Sequence, residues 1–440
     1  MSTTLAGQTP QTPLHSVLNI DQWSELDSAI FDNSEMLESI RAHARHVRVA
    51  PIALLFVSIV RVLGAVPPTV HLNAGGGPGA LNTFVALIGP SGAGKDRTLN
   101  AATRALRVLD ADGREIAPPT FPLGSGEGVT GVYAPREGHD GPIPGETTAL
   151  FVETEVSSLT ALMGRTGATL RSTLLKVYSG GDLGATNKSE HVSVPWGTYR
   201  AGMIVGAQPD RVGGILDDAG DGLPQRFAWT ELVDPLRKEG RAYPTADVLP
   251  VPLPAFDGQI TYCDQVVAAT RAADDARLIT GNTGGLNAHG HLTRLKIAAG
   301  IAVLRGRAHV TEDDWRRAGA MCRYSDKVRH RCTAHLEGQR VAAEAEKHRR
   351  HEAAEAAATA DRISAVTEKV YTALESADDV GGWVNERLIR RGLTKRQQDV
   401  LPDVLDSLRD GDDDGNGAIE SQTNPDPRAR GGLQWRLCRD

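Results

Sequence analysis

Two unbroken apolar runs stand out along the chain. Residues 83–88 read Thr-Phe-Val-Ala-Leu-Ile, and residues 201–207 read Ala-Gly-Met-Ile-Val-Gly-Ala. Runs of this kind, without polar alternation, are the habit of strands covered on both faces, as in a parallel sheet. Residues 149–152 (Ala-Leu-Phe-Val) and 223–229, which contain Phe227, Ala228 and Trp229, have the same character. Elsewhere the period is helical. Met36, Leu37, Ile40 and Ala44 mark a helix over 35–47, and Pro51 opens a second through 63 that Pro67 and Pro68 close. Residues 97–106 read as a helix directly behind the first run, 159–178 as helix, loop and helix, and 210–216 as a short helix. In 291–305 the residues Leu292, Leu295, Ala298, Ala299 and Ala302 fall on one side. Thr311, with Asp314 three positions on, caps the next helix in a capping-box-like arrangement. The charged, Ala/Glu-rich stretch 323–361 reads as one extended helix. Strands alternating with helices predict an α/β fold.

Between the first run and its helix stand Gly89, Pro90, Ser91, Gly92, Ala93, Gly94, Lys95 and Asp96. Strand, glycine-rich turn, lysine and helix together make a phosphate-binding context. The glycines let successive N–H groups turn inward on an anion. The helix N-terminus adds the positive end of its dipole, and Lys95 reaches for the β- and γ-phosphates. These eight residues, with Arg97 beyond them, are the expected contacts for ATP. One position departs from the pattern. Asp96 stands where a Ser or Thr hydroxyl ordinarily meets Mg²⁺. A carboxylate can ligate Mg²⁺ directly or through water, but it also brings negative charge close to the phosphates. Thr98 is two residues too late to replace the hydroxyl.

The run 149–152 ends in Glu153, Thr154 and Glu155. An acid at the carboxyl end of a core strand orients the water shell of Mg²⁺, and a neighbouring Glu polarises the attacking water. Either glutamate fits either role. The assignment made is Glu153 with Asp96 on the metal and Glu155 on the water. Gln208, ending the run 201–207, is placed to sense the γ-phosphate. Arg226 heads the last core strand, where it can face the nucleotide of a neighbouring subunit. Arg294, on the helix 291–305, is placed to reach back to the phosphates from a helical lid.

The tail from about residue 363 looks like a winged helix. Residues 363–376, 383–391 and 394–408 give three helices, and residues around 419 and 433–437 give two strands flanking a wing. Lys395 and Arg396 open the third helix, where a recognition helix meets DNA, and the wing holds Arg428 and Arg430. Acidic residues outnumber basic ones in this tail, so a protein-docking winged helix is an equal reading. Lys176 and Lys188 are candidates to line a channel for phosphate backbones.

Composition changes this picture only at the margins. The chain has 440 residues, room for two or three domains. A net charge of −7 excludes a general nucleic-acid coat, so any such contact uses local patches. Cys263, Cys322, Cys332 and Cys438 are scattered without zinc spacing, which suits a reduced cytoplasm. The apolar stretch 52–66 is interrupted by Arg61 and too short to span a bilayer, so no membrane association is expected. Arginine and alanine usage hints at a high-GC bacterial gene. The expected division is a disordered N-terminus 1–16, a helical region 17–80, the P-loop core 81–233, a linker and helical lid 234–332, a charged helix 333–362 and the winged helix 363–440.

The order of these motifs resembles a helicase-like P-loop ATPase family of unknown function carried by actinobacterial prophages, plasmids and integrative elements. Some of its members place a similar region behind a primase-polymerase domain. The resemblance rests on residues 37–68, 81–96, 122–128, 150–164, 170–182 and 222–229, and on the helix around Arg294. It implies a RecA-like or AAA+-like P-loop NTPase core, assembled as a hexamer and serving replication of a mobile element, with any primase or polymerase a separate partner. Two functions follow as expectations: a Mg-ATP-driven DNA helicase or translocase, or an ATP-switched initiator or helicase loader with weak hydrolysis.

Overall fold

The two apolar runs lie side by side. In this computed structural model, strands Thr83–Ile88 and Arg200–Ala207 pair in parallel, with Phe84 opposite Met203 and Ile88 opposite Ala207. Every residue of both strands is buried, as their unbroken apolar character requires. Phe227–Glu231 extends the sheet on one side, and Thr148–Glu153 and then Thr120–Phe121 extend it on the other. All five strands are parallel. The chain is thus a mixed α/β protein with a central parallel sheet. The described residues are 16–138, 141–164, 168–186, 191–216, 222–243, 249–281, 289–378, 382–411, 417–426 and 432–438.

The helix Pro51–Ala65 is buried at every position except Arg61. It packs on the sheet, and Gly202 sets how closely. A Cβ there would stand 2.7 Å from Val60 Cγ1 and 2.5 Å from Leu150 Cδ2. Each Leu, Ile, Val or Phe fully buried in this way contributes about 1.5–3 kcal/mol. A helix this apolar is therefore an interior element of the fold. Among the described residues no helix is long and apolar enough to cross a membrane.

Several elements differ from the sequence expectation. Residues Ile20–Phe31 form an additional helix, closed by a capping box between Asn19 and Gln22. Its inner face carries Asp27, held by Arg41 at 2.7 Å and Arg45 at 2.9 Å, so its pattern is not simply amphipathic. The stretch expected as a linker contributes a strand, Leu249–Pro252, paired with Leu106–Leu109. Strands His71–Asn73, Pro78–Gly79, Gln259–Tyr262 and His309–Val310 build a second sheet joining the N-terminal region to the lid. The last core strand begins at Phe227, with residues Pro224–Arg226 forming a 3₁₀ turn ahead of it.

The lid helix, the charged helix and the first helix of the tail are one continuous helix, Glu312–Asp378. Its start is capped as expected: the Thr311 N–H donates to Asp314 at 2.9 Å and the Asp314 N–H to Thr311 Oγ1 at 3.4 Å. Near its start it also closes the open edge of the sheet. The Trp229 N–H donates to Ser325 Oγ at 2.7 Å, and the Glu231 N–H to Tyr324 Oη at 3.0 Å. Edge-strand donors that would otherwise invite another strand are thereby paired.

By its internal contacts the chain divides into two units, Met1–Glu337 and Gly338–Asp440. The second has its own core, which includes Val366, Val370, Leu374, Leu401, Leu405 and Trp435. Its three antiparallel strands run in the order Val384–Asn385, Leu433–Leu437, Ile419–Thr423. The stretch read as a single third helix is two, Lys395–Gln398 and Leu401–Asp410. The one before it, Glu386–Arg391, starts after the first strand of this sheet.

Candidate functional site

The carboxyl ends of the parallel strands meet the glycine-rich turn. Gly92 (φ 78°) and Gly94 (φ 89°) are left-handed, a conformation that glycine adopts without a Cβ clash. Gly94 is also the N-cap of the helix Lys95–Ala105. The Lys95 ammonium folds over the turn and donates to the carbonyls of Gly89 and Pro90, each at 3.2 Å. Burial pushes the Lys95 ammonium below its ordinary pKa, and the carboxylates of Asp96 and Glu155 oppose that shift. A partly desolvated cation at a helix N-terminus is a place where an anion is favoured.

A cleft of about 140 Å³ opens here, lined by Ser91, Gly92, Lys95, Asp96, Thr154, Glu155, Gln208 and Arg211 among others. The strand order explains how these residues meet. Arg200–Ala207 lies between the glycine-turn strand and the acidic strand, so Gln208 emerges between Lys95 and Glu155. The register sets the two glutamates at different levels. Glu153 pairs with Val205, whereas Ala207 pairs with Ile88 at the base of the turn. The level of the turn is therefore reached two residues beyond Glu153, at Glu155. Glu153 instead accepts the Glu155 N–H at 3.1 Å and does not line the cleft.

Asp96 is exposed and lines the cleft. The Thr98 hydroxyl donates to the Gly94 carbonyl at 3.0 Å, which occupies it within the helix. Arg97 is exposed on the first turn of that helix, outside the cleft lining. Arg211 was missed by the sequence reading. It sits in the 3₁₀ turn Pro209–Arg211 and approaches Ser157 Oγ at 3.4 Å. Its neighbour Asp210 pairs with His335 of the long helix, tying this turn to that helix. The only signal in the sequence was its place three residues after Gln208.

Two other arginines lie elsewhere in the chain. Arg226 precedes the first residue of its strand, so it stands at the amino end of the sheet. At about 3.3 Å per residue, that is roughly 15 Å from the turn. It is buried, with its guanidinium 5.9 Å from the centre of the Tyr178 ring. Arg294 stacks over Trp315 at 3.6 Å and donates to the Trp315 carbonyl at 2.9 Å. It lines a separate cavity of about 280 Å³ with Gln225, Thr293, Cys322, Ser325 and Arg329.

Of the candidate DNA contacts, Lys176 is exposed on the helix Leu170–Ser179, and Lys395 and Arg396 are exposed on Lys395–Gln398. Lys188, Arg428 and Arg430 lie outside the described residues. Neither protein-family models nor curated proteins give a match to this chain.

Proposed function

We propose that the cleft binds and hydrolyses Mg-ATP and that the chain is a DNA helicase or translocase of a mobile element, working as a hexameric ring in the bacterial cytoplasm. One observation carries this reading: Lys95, Glu155, Gln208 and Arg211 converge on a left-handed glycine turn at a helix N-terminus. A RecA-like or AAA+-like P-loop core accounts for that convergence. In it, Lys95 and the turn's N–H groups hold the β- and γ-phosphates, and Arg211 adds a second cation. Glu155 takes the proton of the attacking water, and Gln208 orients that water. Fixed donors and cations of this kind act where negative charge develops on the transferring phosphoryl group.

The residues present suit Mg²⁺. The cleft offers the Asp96 carboxylate, and Mg²⁺ is ordinarily held by one or two carboxylates together with substrate phosphates. When bound, the metal would neutralise phosphate charge. Glu153, expected on the metal, would serve that site by fixing the backbone of Glu155, whose N–H it accepts. No phosphate contact within the same chain is assigned to Arg226 or Arg294, and Arg226 in trans requires its turn to become exposed.

The tail is read as a winged helix on the strength of its antiparallel sheet order and three helices. Lys395 and Arg396 are its DNA contacts. An ATP-switched initiator or loader is the second reading. It is favoured by Asp96, whose charge opposes that of the phosphates, and by the occupied Thr98 hydroxyl. ATP-driven separation of a forked duplex supports the motor. Sequence-specific duplex binding without separation supports the switch.

A further inference from the structure

Trp196 lies just past the hairpin formed by Leu183–Thr186 and His191–Val194. One face of its indole is stacked on the His71 imidazole, with ring centres 4.2 Å apart and planes 28° apart. The side chain is nonetheless 40 % exposed. An indole covered on one face and still this accessible presents its other face to solvent. An aromatic ring backed on one face and open on the other is shaped to take a second ring in an offset stack.

The backbone at the ring is fixed by a hydrogen bond: the Trp196 main-chain N–H donates to Asp182 Oδ1 at 2.7 Å. The turn behind it is closed by Thr198, whose hydroxyl donates to the Pro195 carbonyl at 2.7 Å, and by left-handed Gly197 (φ 76°). Burial and the neighbouring Arg200 hold His71 below its ordinary pKa, so at neutral pH its imidazole is an uncharged aromatic backing.

The surroundings favour a particular ligand. A Cβ on Gly180 would stand 3.6 Å from the indole edge, and one on Gly181 would stand 3.8 Å from Lys176 Cβ. The exposed Lys176 and the indole therefore flank the same turn, with exposed Ser179 between them in sequence. Protein hot spots are ringed by packed groups that exclude water. A lone aromatic face beside a cation, among polar neighbours, is the chemistry that grips unpaired nucleic acid by base stacking and a phosphate contact.

We propose that Trp196, backed by His71, is a stacking platform for an unpaired base of single-stranded DNA, with Lys176 meeting an adjacent phosphate. This inference rests on the reading of the chain as a DNA-binding protein. The test is fluorescence anisotropy of a labelled 20-mer oligothymidylate with the full-length chain, comparing wild type, Trp196→Ala and Trp196→Phe at one salt concentration. Loss of one stacked base corresponds to roughly a 5- to 150-fold weakening for Trp196→Ala. Trp196→Phe retains most of the affinity, and all three proteins keep the same thermal midpoint and the same affinity for a fluorescent ATP analogue.

If wild type and Trp196→Ala bind the oligonucleotide equally, the platform is overturned while the DNA reading stands. If wild type itself does not bind, the DNA reading falls and the platform with it. If Trp196→Ala loses self-association but keeps its oligonucleotide affinity, the ring is a subunit contact and the proposal is wrong.

Discussion

A Cβ on Gly206 would stand 2.6 Å from Cδ of Lys95, and equally 2.6 Å from the backbone carbonyl of Thr154. The lysine stem thus crosses the end of the central strand where that strand has no side chain. Gly206→Ala should displace Lys95 or the Glu155 segment, since the carbonyl cannot move aside alone. Overpacking of this size costs about 1–3 kcal/mol. The expected result is about tenfold weaker ATP binding, measured with a fluorescent analogue, in a chain that still folds.

Asp314 organises the start of the long helix. Its side chain is fully buried and meets Arg305 and Arg307, each at 2.8 Å, as well as capping the helix. Burial alone would raise its pKa, but the hydrogen bonds from Arg307 and Thr311 hold it below the ordinary carboxylate value. Asp314→Asn removes the charge, takes from Arg307 its carboxylate partner and leaves Arg305 with Asp313 alone. Because those arginines are partly exposed, the loss is put at roughly 3 kcal/mol, the low end for a broken buried pair. Urea unfolding measures it directly.

Tyr324 closes the edge of the sheet through a single hydroxyl. Tyr324→Phe keeps the ring, and with it the edge-on contact with Trp23 at 5.4 Å, but leaves the Glu231 N–H without its acceptor. An unpaired buried donor costs about 1–3 kcal/mol. A lower urea midpoint together with unchanged nucleotide affinity is expected. An unchanged midpoint would mean that the edge needs no such cover.

The pH dependence has a defined sign at His289. Burial, then Arg226 and Lys296, push its pKa down to about 4. The native state keeps it neutral where the unfolded chain, near 6.5, takes up a proton. Stability is therefore lost as pH falls from about 6.5 towards 4. His71 and His291 shift in the same direction and add to the slope. His289→Gln should flatten the fall in urea midpoint between pH 6.5 and 5 relative to wild type.

Much of the architecture was legible in the sequence because burial on both faces leaves an unmistakable mark. The runs 83–88 and 201–207 contain no polar alternation, and both are central strands. The helix Ile20–Phe31 was not legible, because its inner face carries Asp27, which only the distant Arg41 and Arg45 make tolerable. The strand Leu249–Pro252 hid behind its prolines. It lies in a two-stranded pair, where a missing N–H matters less. In the site, the turn and Gln208 were readable from local order. The different levels of Glu153 and Glu155 against the turn follow from register, which spacing alone does not contain. Arg226, expected to act on a neighbouring subunit's nucleotide, stands at the amino end of its own sheet, and Arg294, expected to reach back from the lid, is held by Trp315.

ATP turnover at the cleft is the central claim. The measurement is phosphate release by the full-length chain in Mg²⁺, with and without single-stranded DNA, for wild type, Lys95→Ala and Glu155→Gln. The account predicts turnover that DNA stimulates. It should be lost in Lys95→Ala together with nucleotide binding, and lost in Glu155→Gln with binding retained. Turnover unchanged in Lys95→Ala, or no nucleotide binding by wild type, would contradict it.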